Sequence, residues 1–389
     1  MRTKKGFSER FDWTLCLLLM LFCLVSCIAI YSAQGPKDSY LQSQIMWYVI
    51  GSITIAIIMY FDNEQIQQIT WILYGIGAIL LIGLLIAPVT EFTPKRGGAQ
   101  SWYVIPHLGS IQPSEYMKVF YILAIAKVIN NHHKKTIYKT LLTDFLLMCK
   151  LGIVAGIPIG LVIVQDFGTT LVLMAILIGM MLVSGISWKI LIPLYGVAAA
   201  FGSLVFYLAI FGRELLEKYL GVDPYQFDRI NSWLDPHNAG DAGMQLVKSL
   251  MAIGSGLISG KGLGKEEVYI PERHTDFIFT IIGEEYGFIG GSIVIILYFI
   301  LIFHLVRTAL QTADPYSIYI SVGVISMITF HVFENIGMTI QLLPITGIPL
   351  PFISYGGSSL MTNMMAMGLM FSIRYHHKSY MFSSNSLSF

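Results

Sequence analysis

The feature that most constrains this chain is the recurrence of long apolar stretches. Ten of them approach the roughly 20 residues a helix needs to cross a bilayer core: 13–31, 45–60, 69–87, 115–129, 144–163, 171–184, 190–211, 287–306, 317–340 and 357–373. Charged residues make up only 12% of the 389, where soluble domains carry about 25%, and mean hydropathy is +0.68. No compact soluble chain of this size could hide that much apolar surface from water. The same composition excludes disordered, collagen-like and coiled-coil classes. A net charge of +1 gives no reason to expect nucleic acid as a partner. Cys16, Cys23, Cys27 and Cys149 all fall inside apolar stretches, with neither a disulfide framework nor a metal-ligand spacing, and read as packing residues.

The expected architecture is therefore an all-α polytopic membrane protein of about ten transmembrane helices, forming a single domain over 1–389 without internal repeats. Lys and Arg in the short loops set its orientation. With a cytoplasmic N-terminus, the inner segments hold twelve of them, against Lys37, Lys95 and Arg96 outside. Both termini are predicted to be cytoplasmic. The run Leu24-Val25-Ser26-Cys27 imitates a lipoprotein signal, but the apolar stretch continues through Tyr31, so the first helix reads as uncleaved.

On this topology the polar, Gly/Pro-rich segments 94–113, 165–170, 212–276 and 341–359 all face outward. Long structured loops gathered on one face suggest a site there, the alternative being that they are only connectors. The long extracytoplasmic segment 212–276, between spans seven and eight, contains an expected amphipathic helix over 241–258. Met244, Val247, Leu250, Met251 and Leu257 are at helical spacing, with Gln245, Lys248 and Ser249 elsewhere, a pattern suited to the headgroup plane. The Gly-rich run 254–265 fails the nucleotide-loop pattern. A backbone nest near Lys261 and Lys265 that holds phosphate, or a flexible turn, both fit.

Asp276 stands where the charged run Pro271-Glu272-Arg273-His274-Thr275 meets Phe277-Ile278-Phe279. Desolvation there raises proton affinity, and Arg273 and His274 oppose it, so the residue reads as a general base or as a helix cap. Asp166, before Gly168-Thr169-Thr170, reads as a cap, a substrate contact or a metal ligand. Lys95 and Arg96 are candidate clamps for anionic oxygens, and Trp102 either anchors at the interface or stacks on a sugar. Gln112-Pro113-Ser114-Glu115 marks a helix start, with Lys118 placed to snorkel or to pair with Glu115. Ionisable residues inside spans are functional candidates, which flags Glu115, Lys118 and Glu334. Ser354 and Ser358 either satisfy turn backbone or contact substrate. His132, His133, His376 and His377 read as solvated basic flanks.

Four segments together resemble the SEDS proteins (RodA, FtsW, SpoVE), polytopic bacterial enzymes of cell-wall synthesis. They are Gly97 to Trp102 leading to Gln112 to Lys118; Gln165 to Thr169; Arg229 to Pro236 running through Gln245 to Pro271–Glu285 (PERHTDFIFTIIGEE); and Asn335 to Met338 followed by Leu343 to Ser359 (LPITGIPLPFISYGGSS). The short tails and the Asn335-Ile336-Gly337-Met338 run are more like RodA, the elongation member, than FtsW, the division member. The chain departs from the family where Gln165-Asp166-Phe167 lacks a proline and where Ser101, rather than a basic residue, precedes Trp102.

The resemblance implies polymerisation of lipid II into glycan strands at the outer face of the bacterial cytoplasmic membrane, releasing undecaprenyl diphosphate. It implies Asp276 as the catalytic base. Arg96, Trp102, Gln112, Glu115, Lys118, Asp166, Lys248, Lys261, His274, Thr275 and Ser354 are the expected substrate-binding residues. A divalent cation (Mg or Mn) held partly by Asp166 would assist the leaving group. The implied partners are a class B penicillin-binding protein transpeptidase and other elongation-complex membrane proteins. The alternatives are a lipid II transporter, a recruiting scaffold, and a division-type member of the same family.

Overall fold

The computed structural model describes residues 7–35, 38–95, 99–105, 109–136, 138–163, 165–212, 224–238 and 240–376. Arg96 and His377 lie outside them. After a short α1 (Phe7–Arg10), the long helices are α2 (Trp13–Ala33), α3 (Tyr40–Tyr60), α4 (Asn63–Ile86), α5 (Pro113–Lys135), α6 (Leu141–Val162), α7 (Phe167–Val183) and α8 (Trp188–Phe211). Two outer helices follow, α9 (Pro224–Leu234) and α10 (Gly240–Ser255), and then α11 (Ile278–Gln311), α12 (Pro315–Thr339) and α13 (Gly357–Tyr375). Each of the ten apolar stretches falls in one of these helices to within one residue at its C-terminal end. Among the described residues seven helices are both long and apolar enough to cross a membrane, and α7 is apolar but shorter. The chain is a multi-pass membrane protein.

Local sequence explains where the helices begin. Asp12, Asp62, Thr140, Asp166 and Asp314 each cap a helix through the side chain, and Asp62–Gln65 and Thr140–Thr143 form reciprocal capping boxes. The basic connection expected over 130–143 is mostly helical: α5 runs on to Lys135 and α6 starts at Leu141. His132 is consequently buried against Thr136 and Lys150 rather than solvated.

Burial inverts the ordinary relation between polarity and exposure. α5 carries Glu115, Lys118, Asn130 and His132, yet it is a central helix, packed against α4, α6, α7, α12 and α13. In hydrocarbon, polar side chains gain only from each other, so the polar helices occupy the core while strongly apolar α8 stays at the margin, almost wholly exposed. The hairpin β1 (Tyr103–Ile105) and β2 (Gly109–Ile111) pairs Val104 with Ser110 and crosses one end of the bundle.

α11 is not one straight rod. Gly287 has φ 61° and ψ −156°, and it divides a buried N-terminal portion from the longer, largely lipid-exposed portion that matches the expected span 287–306. A Cβ at Gly287 would stand 2.5 Å from the Gly260 nitrogen and 2.7 Å from the Gly256 oxygen, so the Gly-rich turn and the kink require glycine on both sides. α10 presses Leu246, Ser249 and Ala252 inward and leaves Met244 and Met251 exposed. The Ser249 hydroxyl donates to the carbonyl of Thr339 at the end of α12, which holds the opposite side of the helix against the bundle.

Candidate functional site

The polar segments meet at one end of the bundle, around Asp276. This residue closes the turn before α11 and keeps partial exposure while its neighbours Phe277 and Ile278 are buried. The loop between α12 and α13 threads past it: a Cβ at Gly347 would lie 3.3 Å from Asp276 Oδ2, and Gly347 has φ +75°, so the chain passes closely only without a side chain there. Burial is the main reason the Asp276 carboxyl is pushed up to about 7; Glu272 and Asp166 push the same way and Arg229 pulls down. A carboxyl raised this far titrates near neutral pH, where a general base is most effective.

Asp166 reaches the same region from the N-terminus of α7. Its Oδ1 accepts from Thr169 N at 2.9 Å, and its Oδ2 accepts from Thr169 Oγ1 at 2.6 Å and from Gln112 Nε2 at 2.9 Å. Gln112 N donates to Ser358 Oγ at 3.1 Å, and Ser101 Oγ donates to the Gln165 carbonyl at 3.2 Å, so the hairpin segment and the Asp166 turn are sewn together. Gly168 abuts Ile348 and Thr346, which sets the Asp166 turn against the same loop that lines Asp276. Gln112, Asp166 and Asp276 are thus brought into one neighbourhood.

The 271–277 turn is held from behind. Ser354 Oγ donates to the Thr275 carbonyl at 2.6 Å and accepts from Leu350 N at 2.8 Å; Tyr355 N donates to the His274 carbonyl at 2.9 Å. Of its two readings, Ser354 therefore performs the turn-backbone role. The His274 ring stacks on Tyr40 with centroids 4.3 Å apart and planes 8° from parallel, and burial lowers its pKa, which keeps the imidazole neutral. Thr275 Oγ1 donates within the turn to the Glu272 carbonyl at 3.1 Å.

The cations are placed less simply. Lys118 is 1% exposed, with Nζ 2.8 Å from Glu115 Oε2 and 3.0 Å from His331 Nε2. It pairs with Glu115 rather than snorkelling. Lys261 Nζ is held by Glu267 and Glu284, and the turn amides of Gly264 and Glu267 donate to Glu285 and Glu284. The expected phosphate nest is accordingly filled by the protein's own carboxylates. Lys248 is half-buried on α10, and Trp102 half-buried just before β1.

Two residues were not singled out from the sequence. Arg229 on α9 donates through Nη1 to the Thr346 carbonyl at 2.9 Å and acts electrostatically on Asp276. Asn335 on α12 donates to the Asp276 carbonyl. Both belong to the segments that carry the family resemblance, which was the signal available. Among the described residues no three His, Cys, Asp or Glu side chains converge to hold a metal ion. Both Asp166 oxygens already accept hydrogen bonds, so this donor set does not fit a resident cation, and no step is derived through one.

Fold and site define a class: a polytopic helical membrane protein with a partly desolvated carboxyl cradled by loops at one end of the bundle. The family pattern described as "Cell cycle protein", covering FtsW, RodA and SpoVE, matches residues 10–379. The chain belongs to that family, the SEDS proteins. It is 34% identical over 376 residues to Stage V sporulation protein E of Bacillus subtilis, covering 93% of this chain and 96% of the relative. It is 30% identical over 439 residues to peptidoglycan glycosyltransferase RodA of Treponema pallidum, covering 95% and 98%. Its fold is similar to a chain in a structure titled "Structural coordination of polymerization and crosslinking by a peptidoglycan synthase complex", with TM-score 0.74, 24% identity and coverage of 94% and 97%. It is also similar to Thermus thermophilus RodA, with TM-score 0.67, 24% identity and coverage of 95% and 98%.

Proposed function

We propose that this chain is a peptidoglycan glycosyltransferase that polymerises lipid II at the outer face of the cytoplasmic membrane, with both termini inside and ten helices crossing. The observation that carries the reading is the Asp276 carboxyl, partly desolvated beside Gly347 and pushed up to about 7. The carboxylate takes the proton of the acceptor GlcNAc 4-hydroxyl as that oxygen attacks the anomeric carbon of the donor. The bond from that carbon to the diphosphate oxygen breaks, undecaprenyl diphosphate leaves with the electron pair, and an α-linked donor becomes a β-1,4 bond by inversion. The polyprenyl tail stays among the helices while the headgroup reaches the loops.

Positive charge must meet the departing diphosphate. Arg229, whose charge acts on Asp276, is the candidate for that role. In this reading Gln112 and Asp166, hydrogen-bonded to each other, orient sugar hydroxyls. The Asn335-Ile336-Gly337-Met338 run supports an elongation role, and the fold likeness to a chain of a polymerising and crosslinking complex supports a class B penicillin-binding protein as partner.

The test mixes purified protein, with and without its transpeptidase, with lipid II and measures glycan polymer for the parent and Asp276→Asn. The parent is expected to polymerise, and the variant to make almost none while remaining folded and partner-bound. Equal yields would remove the base assignment, and lipid II movement without polymer would favour a transporter.

A further inference from the structure

Asn335 is fully buried near the C-terminal end of α12, and its Nδ2 makes two hydrogen bonds of 2.8 Å: one to the Asp276 carbonyl, the other to the Ile348 carbonyl. These acceptors belong to separate segments, one the turn that carries the catalytic carboxyl, the other the loop whose Gly347 lies against Asp276 Oδ2. A single amide group thus spans both walls of the site from beneath. A primary amide is among the few neutral side-chain groups able to donate twice from one nitrogen. A buried amide is also costly unless its bonds are made, and here Oδ1 has no partner among the described residues, so the two Nδ2 bonds carry the whole compensation. An aliphatic residue would fill the same space without that cost, so packing alone does not account for an asparagine here.

We propose that Asn335 is a positioning residue that fixes the Asp276 carboxyl in its partly desolvated place by tying the backbone at 276 to the backbone at 348. The inference rests on the reading of Asp276 as base. Without the amide, Ser354 and Tyr355 still hold the loop to the turn at 275 and 274, but the tie between 276 and 348 is lost; the carboxyl shifts, water reaches it, and the acceptor hydroxyl loses its alignment, a kind of misplacement that costs up to about a hundredfold in rate. The charged groups facing Asp276 are Glu272 on its own turn, Asp166 from α7 and Arg229 from α9. Glu334, the acid next to Asn335, accepts from Thr346 Oγ1 at 2.9 Å. Substituting Asn335 removes none of these charges, so a change in the pH profile reports a displacement of the carboxyl relative to them and to water.

Full-length Asn335→Ala, Asn335→Ser and Asp276→Asn are compared with the parent in a lipid II polymerisation assay over pH 5 to 9, each with a thermal-unfolding measurement. For Asn335→Ala the expected result is a fall of about tenfold to a hundredfold in kcat, a KM for lipid II within about twofold of the parent, and an acid limb moved to lower pH. Asn335→Ser, which retains one donor, is expected to fall in between. A folded Asn335→Ala with parental kcat and pH profile, or with only KM changed, overturns the proposal. If Asn335→Ala does not fold, Asn335→Ser is judged by the same criteria. Asp276→Asn separates the two readings: if it still polymerises, the base assignment fails. If it is inactive while the Asn335 variants behave as the parent, only the positioning role fails.

Discussion

A single ionisation at Asp276 makes two measurable predictions. The base works only when ionised, so polymerisation should rise with pH to half its maximum near the value of about 7 set by burial of the carboxyl. A profile flat between pH 5 and 8 would remove that assignment. The second outcome concerns stability. The folded state holds the Asp276 proton more tightly than the unfolded chain, whose aspartates titrate near 3.8. The contribution of this group to folding stability is therefore fully present below about 3.8 and is lost as pH rises from there through about 7. Asp276→Asn, which does not ionise, should unfold at a higher temperature than the parent at pH 8 and at nearly the same temperature at pH 4. Equal transitions at both pH values would mean that the carboxyl is well solvated.

At the scale of elements, the link between the Gly-rich turn and α11 carries the segment that holds Asp276. Lys261 N and Gly262 N donate to the Glu284 and Glu285 carbonyls, and Gly264 N donates to the Glu285 side chain, so the turn docks on the short arm of the kinked helix. Asp276 lies in the chain between these two partners. Gly287→Ala would place a methyl group against backbone at 260 and 256 in a conformation that side chains resist, a cost on the order of 1–3 kcal/mol. The expected outcome is a lower unfolding temperature together with reduced polymerisation. Parental values for both would show that the turn and the helix are not coupled. Gly254, which has nothing near its missing Cβ, is the matched control, and its alanine variant should behave as the parent.

For the whole molecule the decisive quantity is which end of the bundle faces outward. Lys265, in the Gly-rich turn, and Lys134, at the end of α5, are both exposed. In a background without the native cysteines, a membrane-impermeant maleimide should label Lys265→Cys in intact cells and Lys134→Cys only after permeabilisation. The reverse pattern would place the site in the cytosol and end the proposed mechanism.

The apolar stretches by themselves determined the class of fold, because in a membrane a backbone without water must pair internally as helix. Helix starts such as Asp62, Thr140 and Asp314 were equally local, set by side chains a few residues from the amides they cap. Asp276 was legible as well, since the charged run and the apolar run meet at it. What Lys118, Lys261 and Asn335 do was decided only in three dimensions. The partner His331 is 213 residues from Lys118, and the Asp276 carbonyl is 59 residues from Asn335. Residue type announces that a charge or an amide needs a partner. Only the packed helices choose which one it meets, because in a low-dielectric interior the pairing energy depends on distances that spacing along the chain does not contain.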